Sequence, residues 1–208
     1  MTTLLFVRHA EPDDEARGLC YGALDVPLSA RGRQQAGELA RALGGTALTA
    51  VYASPRVRAI DTARPLAEAL GISVHVERAL QELDFGEFEG LSYDELAATR
   101  PELYRRWMTE PTTVRFPGGE SYTDLRRRAV AFLDEILRRH RGECVAVVSH
   151  GGVLRAILAH CLSIPDTLIF RIAQDHAAVS VVRWLEDTPI VRLLNAPAAA
   201  AAEETIRP

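Results

Sequence analysis

The sequence predicts an α/β protein, a three-layer α/β/α sandwich around a mostly parallel sheet. Three observations carry this expectation. Short apolar runs alternate along the chain with longer stretches of helical periodicity. The runs Leu4-Leu5-Phe6-Val7 and Val145-Ala146-Val147-Val148 have no polar face, as in strands buried on both sides. Strands that alternate with helices build a parallel sheet covered on both faces.

Each element has its own signal. Leu4 to Val7 is the first strand. Ala36, Leu39, Ala40 and Leu43 lie on one face of a helix whose N-cap is Ser29. Ala50 to Ala53 is a weaker strand. Ser54-Pro55 then reads as an N-cap followed by proline at the first helical position. The helix behind it carries Val57, Ile60, Ala63, Leu66, Ala67 and Leu70 and stops at Gly71. Ser73 to Val76 is a short strand for the sheet edge. Ser92 to Glu95 opens a helical insertion that runs to about Trp107, and Pro117-Gly118-Gly119 closes it. Ser121 with Asp124 forms a capping-box pattern at the head of a long helix. Leu125, Ala129, Phe132, Leu133, Ile136 and Leu137 mark its buried face. The strand at 145–148 is followed by a helix through Val153, Leu154, Ile157, Leu158 and Cys161. Val179 to Leu185 and Ile190 to Leu194 read as a hairpin across Glu186-Asp187-Thr188-Pro189. No internal repeat is present. Residues 1–195 therefore form a single domain with an insertion near 92–121. The alanine-rich tail 196–208 is expected to be poorly ordered and dispensable for chemistry.

Composition narrows the chemistry. All 24 Lys+Arg are arginine, so lysine is absent from the 208 residues. This excludes a pyridoxal phosphate enzyme and a Schiff-base aldolase, which need a lysine. It also excludes a P-loop nucleotidase. Any anion must be handled by arginine, histidine and backbone N–H groups. The net charge of −4 argues against general nucleic-acid binding. Cys20, Cys144 and Cys161 form no C-x-x-C pair and no even framework, as expected of reduced thiols in a cytoplasmic protein. The start Met1-Thr-Thr-Leu-Leu-Phe-Val lacks a basic segment and is too short for a signal peptide. No apolar run approaches the length of a membrane span. No compact His/Cys/Asp spacing calls for a metal, and no cofactor motif is present.

Ligands of open α/β sheets bind at the carboxyl ends of the strands. Two such ends carry a histidine that packing does not require: Arg8-His9-Ala10, and Ser149-His150-Gly151-Gly152. The junction Ala53-Ser54-Pro55-Arg56-Val57-Arg58 puts arginines in the first turn of a helix, where they oppose the dipole unless an anion lies between. Two histidines and two or three arginines can thus converge on one anion. Arg56 and Arg58 read equally as solvated charges, although Thr62 shares a face with Arg58. His75, His140, His160 and His176 lack such settings and are expected on the surface or in the core.

These segments resemble the histidine phosphatase superfamily, the phosphoglycerate-mutase-like proteins, along about 195 residues. The resemblance rests on five motifs in order. They are Val7-Arg8-His9-Ala10-Glu11 and Tyr21-Gly22 with Pro27-Leu28-Ser29 and Gly32; Ala53-Ser54-Pro55 with Arg58, Ala59, Thr62 and Ala63; Leu80 to Gly90; and Pro117 to Ser121 with Ser149 to Gly152. It implies a nucleophilic His9 whose other ring nitrogen is held as a donor by a backbone carbonyl. Arg8, Arg58 and His150 would grip the phosphoryl oxygens, with Gly151, Tyr21 and Gly22 in the binding site. Glu82 would protonate the leaving oxygen and then activate water. By spacing alone Glu87 and Glu89 are equally placed. Ala10 stands where the family usually has glycine, and Glu15, in the acidic run Glu11 to Glu15, stands where asparagine is common. That run reads either as a solvated loop or as a contact for a cationic or hydroxyl-rich part of the substrate.

The resemblance implies a metal-independent phosphomonoesterase of histidine acid phosphatase type, without cofactor, acting on a small phosphorylated metabolite and releasing inorganic phosphate. The look is nearest to alpha-ribazole phosphatases and broad-specificity sugar phosphatases. A phosphoglycerate mutase, a phosphoprotein-binding module that has lost catalysis, and a metallohydrolase using His9, Glu11, Asp13 and His150 are the alternatives. Tyr93, Tyr104, Trp107 and Met108 of the insertion either line a leaving-group pocket or form the insertion's own core. The edge left by the late strand pair leaves a homodimer open.

Overall fold

A computed structural model describes residues 1–206. Its sheet has six strands in the order β3-β2-β4-β1-β5-β6. These are β1 (Thr2–Arg8), β2 (Leu48–Ala53), β3 (Val74–Val76), β4 (Cys144–Ser149), β5 (Val179–Leu185) and β6 (Thr188–Ala196). The first four run parallel, and β5 joins β1 antiparallel. Side chains of Leu4 to Val7 and of Val145 to Val148 are fully buried. One sheet face packs on α5 (Tyr122–Arg139) and α6 (Gly151–Cys161). The other packs on α1 (Ala30–Leu43) and α2 (Val57–Leu70). This is the three-layer arrangement that the alternating pattern predicts.

Most caps lie where the sequence puts them. Ser29 accepts from Gly32 N–H at the head of α1, and Gly71 ends α2 in the left-handed region at φ 69°. Ser121 and Asp124 close both arms of the capping box on α5. The start of α2 differs. Its N-cap is Arg56, not Ser54, and Asp25 Oδ1 accepts from Val57 N–H at 2.7 Å. The Ser54 hydroxyl is occupied elsewhere, so a carboxylate from another loop takes over the cap.

The insertion is two helices, α3 (Tyr93–Thr99) and α4 (Pro101–Thr109), because Pro101 starts a new helix rather than continuing the old one. Trp107 is buried among Phe85, Phe88 and Phe116, with Tyr104 packed against the same cluster. These aromatics are the insertion's core. Met108 is exposed.

The tail departs from expectation. Ala198–Ile206 is a helix, α7, with Ala201 fully buried in the same core layer as α1 and α2. Glu204 accepts from Arg192 Nε at 2.7 Å and lies 3.5 Å from Arg183, which is itself buried. Alanine has the highest helix propensity, and the small side chains let the segment dock closely. The poorly ordered tail is thus corrected as far as Ile206; Arg207 and Pro208 lie outside the described residues. No described helix is long and apolar enough to cross a membrane.

Candidate active site

Strand register assembles the site. Parallel pairing sets Arg8 of β1 opposite Ser149 of β4, so His9 and His150 leave adjacent strands side by side. Their ring centroids are 5.0 Å apart, and both side chains are almost fully buried. His9 Nδ1 lies 2.8 Å from its neighbour's carbonyl, Ala10 O. A carbonyl only accepts, so Nδ1 carries the proton and Nε2 keeps its lone pair. Ala10 N–H donates to Thr62 Oγ1 at 2.9 Å, which ties the loop after His9 to α2. Burial, then Arg58, then Arg8 hold the His9 pKa well below its ordinary value. The ring is therefore neutral at neutral pH.

Arg58 is fully buried at the first turn of α2. Its Nη1 donates to Leu24 O at 2.7 Å, and its Nη2 to Tyr21 O at 3.1 Å and Gly22 O at 3.0 Å. The Tyr21 ring lies 5.2 Å from its Cζ. Tyr21 and Gly22 thus meet Arg58 as acceptors and hold it in place. Gly22 has no alternative, since a Cβ there would sit 1.8 Å from Leu83 O. Glu89 fastens the same loop: it accepts from Ala23 N–H at 2.7 Å, Leu24 N–H at 3.2 Å and Phe85 N–H at 2.9 Å. Of the three carboxylates that spacing left open, Glu89 is committed to this loop. Glu87 pairs outward with Arg100, and Glu82 faces the site.

Glu82 Oε2 accepts from Gly152 N–H at 2.9 Å and its Oε1 from Leu83 N–H at 2.8 Å. His150 Nε2 lies 2.7 Å from the Ser54 hydroxyl. His150 Nδ1, Arg8 Nε and Arg58 Nε are buried without a hydrogen-bond partner. Arg8 Nη1 donates to Gln174 O. Two orphaned guanidinium donors beside the histidine pair, with an unpartnered ring nitrogen of His150, can receive an anion rich in acceptors.

Of the residues expected here, the structure sets His9 beside His150 with Arg8 and Arg58 nearby, places Glu82 on Gly152 next to Gly151, and brings Tyr21 and Gly22 in only as acceptors for Arg58. His176, expected on the surface or in the core, is a correction. Its ring lies 5.5 Å from that of His9, and its Nε2 is buried without a partner. Burial and then Arg8 lower its pKa to about 4. It arrives through β5, whose Val179 pairs with Val7 of β1; no local pattern announces that pairing. Ser54, read as a helix cap, and Glu89, read as an alternative acid, serve here in other roles, while the sequence reading passes over Gln174 and Arg155. Arg155 had a signal, being four residues after Gly151 on the same helical face. The acidic run turns to its own surroundings. Glu11 accepts from the Ser29 hydroxyl, Asp13 caps the turn at 14–16, and Asp14 pairs with Arg17.

The family model described as histidine phosphatase superfamily (branch 1) matches residues 4–197. Phosphoserine phosphatase 1 of Hydrogenobacter thermophilus is 36% identical over 195 residues, covering 94% of this chain and 92% of that protein. A metal-independent phosphoserine phosphatase of Arabidopsis thaliana is 37% identical over 160 residues, 76% of this chain and 67% of that one. Three mycobacterial proteins match at 37% identity, and the chain spans 54% of their length. Among solved structures, the alpha-ribazole phosphatase of Shigella flexneri superposes with a TM-score of 0.86 at 27% identity, over 93% of this chain and 96% of that one. With the family model matching nearly the whole chain and a relative at 36% identity covered almost throughout, the chain belongs to the histidine phosphatase superfamily.

Proposed function

We propose that the protein is a metal-independent phosphomonoesterase that hydrolyses a small phosphorylated metabolite through a phosphohistidine on His9. The observation that carries this reading is the His9–His150 pair, with Nδ1 of His9 locked by Ala10 O and unpartnered arginine and histidine donors around it. The phosphoryl group sits between Arg8, Arg58 and His150. With the Ser54 hydroxyl donating to Nε2 of His150, its Nδ1–H points to a phosphoryl oxygen. His9 Nε2 forms the N–P bond as the ester P–O bond breaks, and protonated Glu82 gives its proton to the leaving oxygen. Glu82, now a carboxylate, takes a proton from water as that water attacks phosphorus. The N–P bond breaks, and inorganic phosphate leaves with His9 neutral again. Catalysis is positioning and charge stabilisation by fixed donors. The names of two relatives, one of them metal-independent, support phosphoserine as the first substrate to assay.

The test is hydrolysis of p-nitrophenyl phosphate and O-phosphoserine in EDTA by the wild type and by His9→Ala. Turnover persists in EDTA and disappears in the variant, and acid-labile phosphate is trapped on the wild type only. Full activity in His9→Ala overturns the mechanism. Loss of wild-type activity in EDTA overturns metal independence. Transfer between phosphoglycerates without net hydrolysis favours a mutase.

A further inference from the structure

A guanidinium beside the site is left over by the scheme above. Arg155 is half-buried in α6, and its Nε donates to Ile172 O at 2.9 Å. It forms no ion pair among the described residues. A point one bond length from the Cα of Gly151 lies 3.0 Å from Arg155 Nη1 and 3.8 Å from Arg8 Nε. Two desolvated guanidiniums therefore border the same small space and repel one another. Burial and then Arg8 lower the pKa of Arg155, while Glu82 opposes them. The nearby Glu82 carboxylate offsets this only in part, and both its oxygens already accept backbone N–H groups. Like charges brought close at a partly desolvated site repel one another, and an anion between them relieves the repulsion.

The position of Arg155 says which anion. Arg58 reaches the phosphoryl site from α2, where the Tyr21–Leu24 loop holds it; Arg155 reaches it from α6, the element that also holds Glu82. In the proposed mechanism Glu82 protonates the leaving oxygen, so the alcohol fragment lies on that side. Phe170, 58% exposed, has its ring centroid 5.4 Å from Arg155 Cζ and offers an apolar wall for a short carbon fragment.

We propose that Arg155 is a specificity-determining residue that receives a carboxylate on the leaving group, so that the preferred substrates are phosphomonoesters of short hydroxy acids. This rests on the phosphomonoesterase reading. The Nη1 and Nη2 fork suits a planar carboxylate and selects it over a neutral or cationic group.

The experiment compares O-phosphoserine with O-phosphoethanolamine, which differ by the carboxylate alone. A second pair is 3-phosphoglycerate and glycerol 3-phosphate. In the wild type kcat/KM favours the acid of each pair about 30-fold or more, as expected of a charged hydrogen-bond pair. Arg155→Gln brings both ratios towards one. Arg155→Lys, with a point charge in place of a fork, keeps part of the preference. Equal losses on both members of a pair overturn the proposal, because Arg155 then acts on the phosphoryl group or on the fold. A wild type without the preference overturns it as well, whether or not the variants fold. p-Nitrophenyl phosphate reports separately on the phosphomonoesterase: an enzyme inactive on it and on all four esters refutes the broader reading.

Discussion

Glu82 accepts a hydrogen bond from the backbone N–H of Gly152, the second residue of α6, at 2.9 Å. The proposed acid is thereby fixed to the helix whose N-cap is His150, the residue proposed to meet the phosphoryl oxygens. The irregular segment that carries Glu82 is pinned in this way to the frame of the proposed phosphate site.

The first prediction concerns Gly152→Ala. A Cβ at this position would lie 2.3 Å from Glu82 Oε1, the end of a flexible side chain. The fold is retained and the carboxyl group moves. We expect kcat on O-phosphoserine to fall about 100-fold, the range of a lost general acid. On p-nitrophenyl phosphate, whose leaving group departs without a proton, formation of the phosphoenzyme is spared. Burst kinetics on the two esters check this.

Glu89 gives the second. Its carboxylate accepts three backbone N–H groups and ties the Tyr21–Leu24 loop, whose carbonyls hold Arg58, to the segment at 82–89. Glu89→Ala orphans those donors and should cost about 2 kcal/mol of stability. It should also raise the inhibition constant for inorganic phosphate, because Arg58 loses its mooring. Glu89→Gln, which keeps an acceptor oxygen, recovers part of both. Urea melts and phosphate inhibition read the two effects.

The third is a pH dependence of stability. His9, His150 and His176 all have folded pKa values below the unfolded 6.5, chiefly through burial. Above 6.5 both states are neutral and the full stability is present. As the pH falls below 6.5 the unfolded chain takes up protons that the folded one refuses, and stability drops. Each histidine contributes a slope of at most about 1.4 kcal/mol per pH unit. For His176 this continues to its folded pKa of about 4. Urea midpoints between pH 6.5 and 5 should decline more steeply in the wild type than in His176→Asn.

The fourth concerns α7. Glu204 of α7 bridges Arg183 of β5 and Arg192 of β6. Glu204→Ala removes the carboxylate that faces a buried guanidinium, at a cost on the order of 3 kcal/mol. Thermal melting should show the loss, with kcat unchanged below the transition.

The sequence made the sheet and the histidine pair legible because both are local signals. Val145 to Val148 advertises a buried strand, and His150 follows it directly. Arg8, His9, Arg58, Glu82 and His150 were found by motif resemblance together with placement at strand and helix ends. What stayed hidden depends on pairing across the chain. His176 reaches His9 only because β5 lies antiparallel beside β1. The cap of α2 comes from Asp25, and Ser54 turns to His150 instead. Composition misled at the tail: a run of alanines reads as low complexity, while tertiary contact with α1 makes it a helix.

The register that sets Arg8 opposite Ser149 also has a kinetic meaning. Its two strands lie far apart in the chain, at Thr2–Arg8 and Cys144–Ser149, so His9 meets His150 only after a long loop has closed. A one-residue slip would turn the paired side chains to the wrong faces and scatter the donors. During refolding, recovered turnover is therefore a direct clock for the β1–β4 pairing, and no partly folded chain can hydrolyse a phosphate ester ahead of it.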